Sequence, residues 1–227
     1  FDSRFLVSGC ERMGNTEQEK NEELAYMYQR TRLQDFQDTF ERQATGENLG
    51  VKNDELMNSQ QWNDFSNRFG SQWNVYWNTK KKIPTKIVGS SIESSAFGIS
   101  KVSRDNVDIL AKKFIEQNTN LFKIDTARLE TTKKHQDQDF NVITYQQKLN
   151  TLPVFGAYVT LAAKNNKIVL FKSNYKPDIF ISTAPSISDS DARATAKTIF
   201  NLQSTSEQSS SLIVYPLIDT YKLAYKI

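Results

Sequence analysis

The sequence predicts an α+β fold, in which helices pack on antiparallel β-sheets. Three observations indicate this class: apolar stripes with helical spacing, runs that alternate between apolar and polar residues, and short turn sequences between neighbouring runs. The elements come in the order helix, strands, helix, strands, which is typical of α+β domains. The 227 residues are 38% hydrophobic and 24% charged, which suffices for a globular core.

The first 60 residues differ from the remainder in charge. They hold 7 Lys and Arg against 12 Asp and Glu, a net charge of −5, whereas residues 61–227 carry +8. We interpret residues 1–60 as a polar, acidic, helical segment that ends in a linker containing Gly46 and Gly50. One helical face over residues 16–43 collects the apolar side chains Leu24, Met27, Tyr28, Leu33, Phe36 and Phe40.

The chain has one cysteine, Cys10, which cannot form an internal disulfide. With Val7-Ser8-Gly9 before it, Cys10 looks like the lipid-anchor cysteine of a bacterial lipobox. We favour a chance match in a polar N-terminus over the lipid anchor, because Asp2 and Arg4 stand where a signal peptide has its apolar core. No run approaches the roughly 20 apolar residues of a membrane span, so we expect no transmembrane segment.

A helix and two short strands are predicted after the linker. Residues 61–69 have a helical pattern. Trp73, Val75 and Trp77 then alternate with polar residues, which indicates a strand with one aromatic face. We interpret the tryptophans as sheet core, with a ligand-binding platform as the alternative. A second short strand is predicted over residues 85–88.

The clearest helical pattern begins near Ser103. We expect Ser103 to cap the helix and Asp105 to favour its positively polarised first turn. Apolar residues at helical spacing form the stripe that should face the core. That stripe consists of Val107, Leu110, Ala111, Phe114 and Ile115.

Three strands joined by hairpins are predicted next, over residues 140–149, 154–163 and 167–175. Asn165 and Asn166 tolerate the left-handed conformation that a tight hairpin requires. Consecutive strands joined in this way must be antiparallel.

The last 50 residues are predicted to form a short strand, a helix and a hairpin. We predict a short strand over residues 178–182 and a helix that Ser188 and Asp191 open in the manner of a capping box. A final hairpin is predicted from residues 212–216 and 221–227. The buried helix face should consist of Ala192, Ala196, Ile199 and Phe200.

Two motifs give the chain a resemblance to a known family. Residues 145–147, followed by residues 152–156, resemble the central signature of the fungalysin/thermolysin propeptide domain. The helix and hairpin after Ser188 look like the PepSY-type half that follows it, and the resemblance covers roughly residues 65–227. In the family a Gly usually occupies the position of Thr151. The signature residues are Tyr145, Gln146, Gln147, Pro153, Val154, Phe155 and Gly156.

The residue types in the signature suit structural positions. Pro153 fixes φ and lacks an N–H group, which suits the start of a strand. Gly156 suits a bulge or a close backbone approach. Gln146 and Gln147 are neighbours on a strand and point to opposite faces, so we expect at most one of them to face the core.

The resemblance implies two sequential propeptide-type subdomains after the N-terminal segment. Residues 61–177 would form the fungalysin/thermolysin propeptide-like domain, with the Trp-rich strand at its start, and residues 178–227 the PepSY-like helix and hairpin. Such a zymogen pro-region inhibits an attached secreted zinc metallopeptidase, assists its folding as an intramolecular chaperone, and is removed on activation.

The resemblance also implies a partner and a location. The partner is the cognate catalytic domain, attached in cis or bound non-covalently after cleavage, and zinc is expected only in that domain. The location is secreted or in the cell envelope of a bacterium. A free-standing secreted or envelope module of the same fold, which inhibits or binds a protease in trans, is the alternative.

The residue inventory argues against catalysis by this chain. A thermolysin-like site needs His-Glu-x-x-His, whereas the sequence contains one histidine, His135. We place His135 on the surface, in a polar loop over residues 133–137. We therefore predict no enzyme activity, no catalytic or metal-binding residue and no cofactor in this chain.

The basic charge of residues 61–227 raises the question of nucleic-acid binding. The one dense cationic run is Lys80-Lys81-Lys82, which we interpret as a solvated turn. Binding single strands requires exposed aromatic residues among the cations, whereas the aromatics here occupy core-like alternating positions. We therefore expect a protein partner and no nucleic acid.

Overall fold

A computed structural model describes residues 49–200, 209–217 and 220–227, which belong to one compact unit of the chain, residues 42–227. The predicted helical face over residues 16–43 and the possible lipid anchor Cys10 lie outside the described residues.

The described residues form helices and strands in the predicted order, and the α+β class is confirmed. The helices are α1 (Asp54–Met57), α2 (Gln60–Phe69), α3 (Val107–Glu116), α4 (Thr119–Phe122) and α5 (Asp189–Phe200), with 3-10 turns at Ser94–Phe97 and Thr126–Arg128. The strands are β1 (Leu49–Val51), β2 (Asn74–Asn78), β3 (Ile83–Glu93), β4 (Leu129–Asp137), β5 (Phe140–Leu149), β6 (Leu152–Lys164), β7 (Lys167–Ser173), β8 (Ser211–Pro216) and β9 (Tyr221–Lys226).

Seven of these strands form an antiparallel sheet in the order β1-β2-β3-β7-β6-β5-β4. The predicted hairpin from β6 to β7 is present, and Asn165 and Asn166 have φ values of 50° and 62° at its turn. The final hairpin of β8 and β9 is also confirmed. It joins the rest through a parallel pairing of Val214 in β8 with Val154 in β6.

Helices α2, α3 and α4 cover one face of this sheet with a core rich in aromatic rings. The whole predicted stripe of α3 is buried. The ring of Phe114 lies at its centre, with centroids 6.3 Å from Phe65, 5.8 Å from Phe97, 5.3 Å from Phe122 and 5.6 Å from Phe171. These rings come from three helices, a turn and a strand, so one cluster holds the two layers together.

The tryptophans of β2 belong to this core, as predicted. Trp73 and Trp77 are both buried, and Trp77 packs edge-on against Trp62 of α2 with 5.8 Å between ring centroids. A buried indole has no surface to offer a ligand, so the alternative of a binding platform is wrong.

Helix α3 begins later than the sequence suggests. Asn106, not Ser103, occupies the N-cap position before Val107. The side chain of Asn106 accepts a hydrogen bond from the backbone N–H of Ser103 at 2.8 Å, and the N–H of Val107 donates to the carbonyl of Ser103 at 3.0 Å. Ser103 therefore belongs to a turn that precedes the helix.

The structure differs from the prediction in two regions, one of which was predicted as a loop and the other as a short strand. The stretch around His135, predicted as a loop, is part of the edge strand β4, and His135 is exposed there and pairs with Val142. It lacks an alternating pattern because both faces of this strand contact water. The strand predicted over residues 85–88 extends over Ile83–Glu93 and includes a register shift beyond Val88.

The segment from residue 178 to residue 187 has no regular secondary structure, although a strand was predicted over residues 178–182. Its exposure does alternate, because Ile179 is buried and Ile181 is half-buried while Phe180 is 86% exposed. No neighbouring strand pairs with it among the described residues. The pattern was that of a strand, but the pairing that defines one is missing.

Helix α5 begins as its sequence predicts. The Ser188 hydroxyl accepts a hydrogen bond from the backbone N–H of Asp191 at 3.1 Å and donates to its carboxylate at 2.6 Å. Ala192 is buried and Ala196 half-buried, while the side chains of residues 199 and 200 are outside the described part. The pKa of Asp189 is lowered chiefly by a hydrogen bond from the Ser210 hydroxyl. The Arg193 guanidinium lowers it further.

Replacing Phe114 with Ala should destabilise the protein by about 3–5 kcal/mol, because it removes the ring on which helices, turn and sheet converge. Ile109 lies on the outer side of the same helix and is 50% exposed, so Ile109→Ala should change stability by about 0.5 kcal/mol at most. Urea unfolding of both variants measures the difference. Equal losses would show that the cluster is not the centre of the core.

Candidate functional site

The signature residues begin at Tyr145, which connects the sheet to α3. Its side chain is fully buried, and its hydroxyl donates a hydrogen bond to the carboxylate of Asp108 at 2.8 Å. Burial and then this hydrogen bond raise the pKa of Tyr145 well above its ordinary value. The contact fixes the first turn of α3 over the centre of β5.

Gln146 fills a bulge in the neighbouring strand β6. The register changes from Gln146 opposite Tyr158 to Lys148 opposite Pro153, so several residues of β6 have no partner in β5. The side-chain amide of Gln146 donates to the carbonyls of Val154 at 2.6 Å and Ala157 at 2.9 Å. It thereby satisfies backbone groups that the bulge leaves unpaired.

Gly156 lies within this bulge and has a φ of 70°, the left-handed conformation that glycine adopts without strain. The side chain of Asn174 donates to the Gly156 carbonyl and accepts from the N–H of Tyr158 at 2.6 Å. The bulge is therefore held by polar side chains from both neighbouring segments.

The side-chain amide of Gln147 makes the two backbone hydrogen bonds that a neighbouring strand would otherwise make. Its amide nitrogen donates to the carbonyl of Lys176 at 2.8 Å, and its amide oxygen accepts from the N–H of the same residue, also at 2.8 Å. Gln147 is 0% exposed and Gln146 is buried as well, so the expectation that at most one faces the core is wrong. The two side chains do point to opposite faces, but the bulged part of β6 covers Gln146.

Two of the remaining signature residues, Val154 and Phe155, contact the C-terminal hairpin. Val154 is fully buried and pairs with Val214 of β8, and the ring of Phe155 stacks on Tyr215 with centroids 5.4 Å apart. Pro153, near the start of β6, pairs with Lys148. The structure thus brings all seven signature residues into one region, where β5, β6 and β8 meet.

The sheet has a second face, opposite α2, α3 and α4, which we call the open face. Its side chains are arranged in rows by the register of the strands. Alternate residues along the central strands point to this side, and most of them remain half-buried or exposed, although Ala162 is buried. Thr144 and Thr160 are adjacent here, with their hydroxyl oxygens 3.2 Å apart. We missed this surface in the sequence because it depends on the register between strands.

Two rows of side chains cross the open face. The apolar row is Val88, Leu170, Ala162 and Val142, whose members are opposite one another on β3, β7, β6 and β5. The second row, two residues further along the strands, contains Lys86, Lys172, Thr160, Thr144 and Lys133.

A groove of about 610 Å³ lies along the apolar row, with Phe140 among its lining residues. Gly89 also lines it and has a φ of 118°. A Cβ at this position would approach the side-chain amide nitrogen of Asn74 to 3.1 Å, so the backbone comes close to β2 here. The groove is open to solvent and could receive side chains of a bound polypeptide.

The described part of the chain contains no cluster of three or more His, Cys, Asp or Glu side chains able to hold a metal ion. Within the same residues, no helix has the length and apolar character needed to cross a membrane.

No protein-family model matches the sequence. Among solved structures, the chain is similar to the Bacillus megaterium YpeB C-terminal domain, with a TM-score of 0.37 and 13% sequence identity. The alignment covers 67% of this chain and 63% of that chain, so this chain spans less than two thirds of the other structure. A likeness at this level carries no argument about function.

The raised pKa of Tyr145 predicts a dependence of stability on alkaline pH. The unfolded chain releases the phenol proton near pH 10, whereas the folded chain retains it, so the free energy of unfolding should fall as pH rises above 10. The phenol contributes a slope of about 1.4 kcal/mol per pH unit there, which Tyr145→Phe should abolish. Urea unfolding between pH 8 and 11 tests this, and parallel curves throughout would contradict it.

Replacing Gln147 with Met keeps the shape but removes both hydrogen bonds to Lys176. Each buried backbone group left unpaired should cost about 1–3 kcal/mol of stability. Gln60→Met is the matched control, because Gln60 is exposed at the start of α2 and its loss should cost about 0.5 kcal/mol or less. Denaturant midpoints compare the two, and a Gln147→Met protein as stable as the control would refute the strand-like role.

Proposed function

We propose that this chain is a non-catalytic pro-region, which binds the catalytic domain of a secreted zinc metallopeptidase, assists its folding and inhibits it until the pro-region is removed. The observation that carries the proposal is the open face, a sheet surface with a groove that is lined by apolar side chains together with Gln72, Ser90 and Ser91. An exposed groove of this kind on an ordered scaffold suits recognition of another protein.

Both activities follow from a single binding event. A surface that binds the native catalytic domain lowers its free energy relative to unfolded forms, and so assists folding. The same surface inhibits if it covers the cleft where substrates bind. Zinc belongs to the partner in this proposal, since a site with two imidazoles cannot be formed by a chain with one histidine.

The sequence signature supports the choice of a peptidase as the partner. Residues 145–147 and 153–156 resemble the propeptide family in sequence, and they are adjacent in the fold, where Gln146 donates to the backbone of Val154. A motif whose parts cooperate in this way is more than two unrelated short matches.

The relation between chain and peptidase can be decided from the gene. If the chain is a pro-region in cis, the reading frame beyond the codon for Ile227 should encode His-Glu-x-x-His. A frame without that motif excludes the attached form and leaves the alternative, a secreted or envelope inhibitor that acts in trans.

Purified chain should inhibit the peptidase encoded with it at micromolar concentration, measured by hydrolysis of a chromogenic peptide. Leu170→Asp places a charge in the apolar groove, which should weaken inhibition by about tenfold or more. Ile109→Asp makes the same change on the exposed side of α3 and should inhibit like the unmodified chain. Circular dichroism confirms that both variants are folded.

Two results would count against the proposal. Absence of inhibition by the unmodified chain contradicts the function itself. Undiminished inhibition by folded Leu170→Asp shows that the open face is not the binding surface.

A further inference from the structure

We propose that the open face recognises an acidic polypeptide segment, whose carboxylates contact a row of lysines while its apolar side chains occupy the groove. The basic row is defined as Lys86, Lys172 and Lys133. The inference rests on the proposed function, because it concerns the same face, and it adds the chemical character of the partner segment.

The pairing between strands places the lysines of the basic row on one line. Lys86 of β3 is directly opposite Lys172 of β7. Residues directly opposite in an antiparallel pair have Cβ atoms about 5 Å apart, so these two side chains leave the sheet from neighbouring positions. Lys133 lies on the same line three strands away, roughly 14 Å from Lys172 at the usual strand spacing.

The side chains around Lys172 confirm that the row lies on the open face. Phe171 and Ser173, its neighbours along β7, are buried on the other side, whereas Lys172 is exposed. The ammonium of Lys86 lies 5.3 Å from the ring centroid of Tyr76, which is itself only half-buried.

The charge of this row is not neutralised by the described residues. Like charges directly opposite each other destabilise a sheet. Other lysines of the sheet have carboxylate partners, such as Lys148 with Glu130 at 2.8 Å and Lys167 with Glu93 at 2.8 Å. None of the three lysines of the basic row has one within ion-pair distance in the described part of the chain. The row therefore retains its positive charge in spite of the repulsion, and it would attract an anionic partner.

The groove beside the row favours a polypeptide over a nucleic acid. Its walls include the aliphatic side chains of Val88, Val169 and Leu170. Single-stranded nucleic acids need aromatic rings for base stacking among the cations. Here the rings are Tyr76, already in contact with Lys86, and Phe140 of the groove, which is four residues along β5 from Thr144 of the second row. Aliphatic walls next to ammonium groups suit a segment that combines Asp or Glu with Leu, Ile or Val.

Fluorescence anisotropy with labelled peptides tests the inference without any peptidase. Three probes of equal length alternate Leu with Glu, Gln or Lys, and a labelled oligo-dT strand is the fourth. The Glu peptide should bind most tightly, and 0.5 M salt should weaken it by about tenfold or more. Equal affinity for the Glu and Gln peptides, or tighter binding of oligo-dT, would overturn the proposal.

The variant Lys86→Gln/Lys172→Gln removes the two adjacent charges and should weaken binding of the Glu peptide about tenfold. Its urea midpoint should equal or exceed that of the unmodified chain, because the repulsion between the lysines is gone. The matched control, Lys101→Gln/Arg104→Gln, removes two exposed charges ahead of α3 and should bind the Glu peptide normally. Identical binding by both variants contradicts the role of the row.

The two proposals can fail separately. If the chain inhibits the peptidase and the Lys86→Gln/Lys172→Gln protein inhibits equally well, acidic recognition is wrong and the pro-region function stands. If the Glu peptide binds through the row but the peptidase is not inhibited, the function is wrong and the chemistry of the surface stands.

Discussion

The need to satisfy buried backbone groups determines how the C-terminal hairpin of β8 and β9 joins the seven-stranded sheet. The bulge in β6 removes carbonyl and N–H groups from the ladder with β5, in a place where water has little access. Unpaired groups there would cost more than a typical hydrogen bond contributes. Gln146 of β5 supplies partners for two carbonyls of β6, and Gln147 supplies them for the backbone of Lys176, which follows the end of β7. The bulge can then turn Val154 towards β8, and the C-terminal hairpin follows from that pairing.

The two faces of the sheet carry different kinds of side chain. The aromatic cluster around Phe114 lies on one face and holds the helices on the sheet. Because that face provides the core, the other can carry side chains that do not favour folding. The neighbouring lysines Lys86 and Lys172 are an example, since their repulsion opposes the pairing of β3 with β7. A sheet with a strong core on one side tolerates such a pair, which gives the open face its charge.

The features that could be predicted from sequence are those that local pattern or turn chemistry determines. The apolar stripe of α3, the limits of β5 and the turn at Asn165 and Asn166 all agree with prediction, because spacing and residue type decide them locally. β4 was missed since an edge strand exposed on both faces carries no alternation.

Features that depend on pairing between distant residues could not be predicted. The parallel contact of Val154 with Val214 joins residues far apart in sequence, and no local pattern encodes it. The basic row is of the same kind, because its lysines are scattered along the chain until the register aligns them. Gln146 and Gln147 were identified from the sequence as signature residues. That both are buried could not be predicted, because it depends on a bulge whose size the sequence does not reveal.

The irregular segment over residues 178–187 also has a consequence for how the molecule opens. It is held by side chains, among them buried Ile179 and the hydroxyl of Tyr225, which donates to the carbonyl of Ile187 at 3.2 Å. Among the residues that the structure describes, no strand forms backbone hydrogen bonds with it that would have to break for it to leave the surface, so its local unfolding costs less free energy than that of the strands around it. Proteases cleave folded proteins at exposed segments that unfold locally, and this segment, with Phe180 exposed to water, is of that kind. A cut there would separate the sheet from α5 and the last hairpin while leaving each strand of the sheet intact.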